Sequence, residues 1–312
     1  MEKFRRLVLA TAVATLLLML IGGIVRISDS GLGCGPAGSG LHGWPLCEGG
    51  FVPEATSESI IEFTHRVVAA IVGVLMFITM VYAWRNLKQW PVLTRWSTIA
   101  FVLVVLQAVL GGITVEYDLH EYAVASHLLL AMLYLGVLML LYRKSDLERP
   151  ALDGGVWLRR MSTVSAVLVL LTIFAGGLVA GTEGHGRADQ PAIGAHEACG
   201  TQFPKCLNDW WPFGQFNHNV DIQLTHRAVM YLTVISVLIT AALAWRRRRE
   251  GAFGEDGRIF FVSVGVIAAQ VLLGAINVWY GKHAGLIIGH LALGTLLWIV
   301  VLQARLRLTG PA

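Results

Sequence analysis

The sequence predicts an all-α integral membrane protein. It should have eight transmembrane helices, forming two four-helix bundles related by pseudo-two-fold symmetry along the membrane normal. Composition and internal self-similarity carry this expectation. Of the 312 residues, 55% are hydrophobic and 14% charged, and the mean hydropathy is positive, so water cannot be the main solvent of the folded chain. Sliding the chain on itself by about 160 residues superimposes polar landmarks as well as apolar runs.

Apolar runs of roughly 20 residues, the length that crosses about 30 Å of hydrocarbon, lie at 7–27, 59–83, 96–116, 122–142, 159–180, 222–245, 260–280 and 284–306. The first follows Met1-Glu2-Lys3-Phe4-Arg5-Arg6, a start that a signal peptide would also have. It has a counterpart later in the chain and no convincing small-residue cleavage site, and is expected to be a retained helix.

Of the 24 Lys and Arg, 18 fall in alternate loops and the two ends: Lys3, Arg5 and Arg6; Arg85, Lys88 and Arg95; Arg143, Lys144, Arg149, Arg159 and Arg160; Arg246 to Arg249 and Arg258; Arg305 and Arg307. The positive-inside rule then places both termini in the cytoplasm of a bacterial-type plasma membrane. The net charge of +4 is accordingly a topological signal facing the lipid bilayer and no nucleic-acid footprint. All four cysteines lie in the opposite loops, Cys34 and Cys47 before the second span, Cys199 and Cys206 before the sixth. An oxidising outer compartment favours one disulfide in each loop.

The repeat unit is four spans. Gly22-Gly23 matches Gly176-Gly177, Trp84-Arg85 matches Trp245-Arg246, Gln107 and Gly111 match Gln270 and Gly274, and His127 matches His290. Any two Leu/Val/Ala helices look alike, but matched Trp, Gln and His pairs 161 to 163 residues apart do not follow from that. Four is even, so both copies have the same orientation in the membrane. The halves are expected at 1–148 and 149–312. The glycines are read as packing residues that let helices approach closely, and no chemistry is assigned to them.

Four of the ten histidines fall inside spans, His65, His127, His226 and His290, one on each even-numbered helix. Measured from the start of each apolar run, each lies about 6 to 9 Å into its helix. One imidazole per even helix, two in each half, is the arrangement that grips a planar macrocycle through both axial positions of its iron. A single intramembrane histidine is more simply a hydrogen-bonded packing residue. Four at matched repeat positions favour ligation, because polar groups in a membrane are costly. Arg66 and Arg227, directly after two of them, are candidate propionate or loop partners. His42, His120, His185, His196, His218 and His283 lie in polar loops and are expected to be solvated or to make loop contacts. The chain has no Cys-x-x-Cys-His, which excludes covalent c-type attachment. It also lacks His-Glu-x-x-His, a Walker-type loop and Gly-x-Ser-x-Gly, which removes the common hydrolase readings.

The halves differ at two points. Glu62 lies three residues before His65 and should project from the same helix face, whereas the second half has Gln223, similar in shape and not ionisable. Only the first half therefore has an evident proton acceptor beside its histidine, unless Glu62 merely complements the helix dipole. Arg26, where the second half has Ala180, is a pocket contact or an interfacial snorkelling residue.

These residues resemble the haem A synthase family along nearly the whole chain. The resemblance rests on the run from Gly22 through Cys34, on Trp44-Pro45-Leu46-Cys47, Glu62-Phe63-Thr64-His65-Arg66, Leu106-Gln107-Ala108-Val109-Leu110-Gly111-Gly112, Leu224-Thr225-His226-Arg227 and Gly289-His290-Leu291. It implies a membrane oxidoreductase that converts the C8 methyl of haem O to a formyl group, through an alcohol, giving haem A for haem-copper oxidases. Carried over by position, it implies that His65 and His127 flank the substrate haem and that His226 and His290 ligate a retained haem b. Glu62 would be the acidic residue of the catalytic half, and the loop cysteines would be the family's outer pairs. The family also implies cooperation with haem O synthase, the protohaem farnesyltransferase that supplies haem O.

The outer loops depart from the compact bacterial pattern: twelve residues separate Cys34 from Cys47, and a polar insertion spans 181–198. The cysteine pairs are structural disulfides or, in a sharper reading, redox or haem-delivery groups. A passive di-haem b-type electron carrier would explain the histidines but not Glu62 against Gln223. A proton-coupled transporter would explain the repeat and the buried acid. The electron acceptor, the oxygen source and any homo-oligomer stay open.

Overall fold

The computed structural model describes residues 1–183, 194–253, 255–281 and 283–310. His185 and most of the 181–198 insertion lie outside the described residues. Among the described residues, eight helices are long and apolar enough to cross a membrane: α1 (Glu2–Ile27), α2 (Ser57–Asn86), α3 (Pro91–Glu116), α4 (Glu121–Lys144), α5 (Gly155–Gly181), α6 (His218–Arg249), α7 (Ile259–Tyr280) and α8 (Ala284–Leu306). Each expected apolar run falls within one of them. The helices extend past those runs because capping residues start them early. Thr56 accepts from the Ser59 amide to begin α2, and Asn217 accepts from the Val220 amide to begin α6, each satisfying one of the unpaired N–H groups of a first turn. Pro91, at the first position of α3, costs that helix no hydrogen bond. At the far end of α7 the chain leaves the helix through Gly281 at φ 78°, a conformation that glycine adopts without strain.

The chain separates into two compact units, one of Met1–Ala123, Leu130–Pro150 and Gly310–Ala312, the other of Val124–Leu129 and Ala151–Thr309. The turn of α4 that carries His127 thus groups with the second unit.

In the first unit α2 packs closely against both α1 and α3. One apolar cluster joins Phe4 and Val8 of α1, Val72, Met76, Met80 and Ala83 of α2, Leu93 and Ala100 of α3, and Tyr134, Leu138 and Leu141 of α4. These lie in the first halves of the odd helices and the second halves of the even ones, so the packed core lies toward one end of the unit. Lipid tails are as apolar as leucine, so this end contributes van der Waals fit more than a hydrophobic drive.

The second unit has the same tiering, with Leu158, Ala244, Phe260 and Ala304 joined by Phe253 and Leu308. Its close helix contacts run all the way round, α5 with α6, α6 with α7, α7 with α8 and α8 with α5. Hydroxyl pairs Ser165–Thr240 at 2.9 Å and Thr172–Thr233 at 2.7 Å tie α5 to α6, each worth about 0.6 kcal/mol between membrane helices. At the packed end, α6 finishes in Arg246 to Arg249. There, hydrogen bonds from Arg246 and Arg247 hold the exposed Glu250 carboxyl below its usual pKa range.

Candidate functional site

The end of each unit away from its packed core carries the histidines, a glycine seam and a disulfide-closed loop. His65 and His226 each lie eight residues beyond the first residue of their helix, and His127 and His290 each lie six beyond theirs. At 1.5 Å per residue these are depths of about 12 and about 9 Å. For His65, His127 and His226 that is deeper than the apolar runs implied, because those helices start earlier, whereas His290 lies at the expected depth. All four histidines are half-buried, neither core residues nor solvated ones. Two of the loop histidines, His120 and His283, are the residues before α4 and α8, and the His120 ring accepts from the Tyr122 amide at 3.4 Å.

The hydrogen-bond partners determine which ring nitrogen of the second unit's histidines carries the proton. Nδ1 of His226 lies 3.1 Å from the Thr172 carbonyl. A carbonyl can only accept, so the proton is on Nδ1 and the lone pair on Nε2. The Gln270 amide nitrogen stands 3.1 Å from the His290 carbonyl and 3.3 Å from His290 Nε2. The carbonyl fixes which end of that amide is the donor, so His290 Nε2 accepts from Gln270. A neutral imidazole whose other nitrogen donates to a carbonyl is the standard form of a metal-binding histidine. His226 takes that form, and with His290, whose Nε2 the Gln270 amide would have to release, it makes a donor pair that fits an iron macrocycle. Among the described residues, the buried Nδ1 of His65 and that of His290 have no hydrogen-bond partner.

Both cysteine pairs are disulfides, Cys34–Cys47 and Cys199–Cys206, and the two loops share a construction. The second cysteine of each pairs back onto a residue three positions on, Gly50 or Asp209. Arg66 donates to the Leu46 carbonyl at 2.6 Å and Arg227 to the Lys205 carbonyl at 2.9 Å. Those carbonyls belong to the residues just before Cys47 and Cys206. Arg227, 3% exposed, also donates to the carbonyls of Gln202 and Pro204. Of the two alternatives for these arginines, the structure shows loop partners.

Glu62 is 3% exposed. One of its oxygens is paired with Arg66, and the other accepts the Cys34 amide at 2.8 Å. The expected shared pocket with His65 is therefore not where its two partners lie, since both belong to the loop anchor. The matching Gln223 is 5% exposed, and the disulfide of that half sits in an apolar cluster with Val220 and Leu224. Arg26 lies half-buried in the last turn of α1.

Residues 52–302 match the COX15-CtaA family, described as cytochrome oxidase assembly proteins. This chain belongs to that family. Among relatives named heme A synthase, the one from Geobacillus kaustophilus is 26% identical over 96% of this chain and 90% of its own length. That of Lysinibacillus sphaericus is 28% identical over 95% and 94%, and that of Shouchella clausii 28% identical over 77% and 75%. With eight apolar spans and bacterial relatives, this COX15-CtaA member is a multi-pass membrane protein of bacterial type. Two contributors to its site escaped the sequence reading. Thr172 acts through its backbone, which no side-chain pattern reveals. Gln270 was visible as a repeat match with Gln107, a signal that could have marked it as a histidine partner.

Proposed function

We propose that this chain is an oxidoreductase that converts the C8 methyl group of haem O to a formyl group and so makes haem A for haem-copper oxidases. The observation that carries the reading is a difference between two otherwise matched sites. One turn before His65 lies a buried carboxylate, and the position one turn before His226 holds a neutral amide. The family and its relatives' names support the reaction.

His65 and His127 flank the substrate, and His226 and His290 hold a haem b. The fixed Nε2 lone pair of His226 and the closed ring of helices around it support retention of a cofactor there. A haem b bound in the second unit supplies one-electron redox capacity.

Written with water as the oxygen donor, each of two hydroxylations replaces a C–H bond by C–OH and releases two protons and two electrons, the electrons passing to the acceptor, and the resulting gem-diol loses water to leave the formyl group. Glu62 accepts protons at its carboxylate or stabilises positive charge developing at the methyl carbon. Such stabilisation in a dry site is worth roughly 3 to 4 kcal/mol. Arg66 pairs with one oxygen of the carboxyl group, and the Cys34 amide fixes the other. The termini face the cytoplasm and the disulfide loops the outer side. The enzyme that farnesylates protohaem supplies the substrate, and an electron acceptor completes the reaction.

The test is expression with a haem O source, followed by pigment extraction and mass spectrometry for haem O, its alcohol and haem A. The alcohol and haem A are expected. Loaded protein yielding only unaltered pigment would contradict the reading and favour a passive di-haem carrier.

A further inference from the structure

We propose that Gly22, Gly176 and Gly274 are positioning residues, each a seat for the imidazole of the histidine on the next helix, so that the missing side chain sets where the ring's Nε2 stands. This rests on the reading of His65, His226 and His290 as haem ligands. The helix pairs are α1–α2, α5–α6 and α7–α8. A Cβ placed on Gly22, Gly176 or Gly274 would meet Cε1 of His65, His226 or His290 at 3.1, 3.1 and 2.9 Å. Nδ1 follows at 3.6, 3.5 and 3.6 Å, and Nε2 at 3.9, 4.0 and 3.8 Å. The same ring edge is thus presented in the same attitude three times. Two other span glycines lack this contact: a Cβ on Gly73 of α2 or Gly265 of α7 would meet nothing within 4 Å.

Each seat is a full helical turn. The residue four before Gly176 is Thr172, whose carbonyl holds His226 Nδ1. The residue four before Gly274 is Gln270, whose amide faces His290. In the second unit a ring therefore has a polar hold and a flat rest on one turn of the neighbouring helix. At Gly22 the residue four before is Leu18, which offers no polar side chain, and the rest itself orients His65. A methyl group at Gly274 requires the ring or the helix to shift, and one at Gly22 or Gly176 requires the ring to give by a few tenths of an ångström. Either response displaces Nε2, and a ligand must be held within about 0.5 Å of its productive place. The competing explanation is that these glycines serve only helix–helix approach, with the ring a bystander.

The test substitutes Ala at positions 22, 176 and 274, with Gly73→Ala and Gly265→Ala as controls. It measures haem b per polypeptide and the low-spin haem signal by optical and electron paramagnetic resonance spectroscopy. Gly176→Ala and Gly274→Ala are expected to change the low-spin signature and weaken haem b retention roughly tenfold or more, with Gly274→Ala the stronger. Gly22→Ala is expected to leave haem b untouched and reduce conversion of haem O. Wild-type haem b content and spectrum in both second-unit variants would overturn the proposal.

A thermal-melting cycle on haem-free protein decides the matter without any haem. If the ring is what the new methyl meets, destabilisation by Gly274→Ala should largely vanish in a His290→Ala background. Undiminished destabilisation in that background would assign the glycine to helix contact alone and overturn the seat. Failure of the wild type to hold haem b would instead remove the ligand reading while leaving the cycle decisive for the seat.

Discussion

His65 and His226 occupy the same step of corresponding helices, and an arginine directly after each clamps the carbonyl that precedes a disulfide cysteine. Around this shared frame the halves differ in what holds the ring and what charge stands beside it. His226 is fixed by a backbone carbonyl at Nδ1. The Nδ1 of His65 is buried without a partner among the described residues, and the Glu62 carboxyl group lies one turn away. A ring fixed in one tautomer inside a closed helix ring suits a group that stays. A ring held by packing alone, near a buried charge, suits a group that arrives, reacts and leaves. On the proposed function, the duplication supplies two similar cradles and a few polar substitutions divide the work between them.

The largest effect expected from this contrast is at the carboxylate. Glu62→Gln makes the first half resemble the second, and haem A output measured by pigment analysis should fall roughly a hundredfold with haem b content unchanged. Normal output with normal haem content would remove Glu62 from the chemistry. Because Glu62 also accepts the Cys34 amide, the same variant should loosen the first loop, which limited proteolysis of the outer loops would register.

Next in size is the second loop anchor. Arg227→Ala strips three loop carbonyls of a buried charged donor and should cost about 3 kcal/mol of stability, read as a lowered melting temperature in detergent. Arg66→Ala should cost activity more than stability, because it also frees Glu62. Equal behaviour of the two variants would blur the contrast.

A somewhat smaller loss, about 2.5 kcal/mol by loop-closure entropy, is expected on replacing both Cys199 and Cys206, whose separation is seven residues. Alkylation mass shifts with and without reductant check that each pair is oxidised to begin with. The smallest effect is at Gln270. Gln270→Leu removes one hydrogen bond to the His290 carbonyl, worth about 1 kcal/mol, and should shift the haem b spectrum slightly without loss of the pigment.

Much of this was legible in the chain because membranes tax polar groups. The eight spans, the matched His pairs, the loop cysteines and the Glu62–Gln223 difference all stand out against an apolar background. The depths of His65 and His226 came out short because hydropathy marks where a run becomes apolar, whereas the Thr56 and Asn217 caps start the helices earlier. Repeat matching found Gly22, Gly176 and Gly274, but it could not show that a ring edge rests on two of them through the same turn that binds the ring's nitrogen or backbone. The partners of Glu62 were hidden for a different reason. Cys34 reaches it through a backbone amide from 28 positions away, and sequence spacing carries no trace of such a contact.

The central claim is the division of labour, and pigment content of two variants tests it most directly. His65→Ala should purify with haem b still bound and with neither haem O nor haem A, while His226→Ala should lose haem b. Loss of haem b from His65→Ala, or its full retention in His226→Ala, would contradict the assignment of substrate to the first half and cofactor to the second.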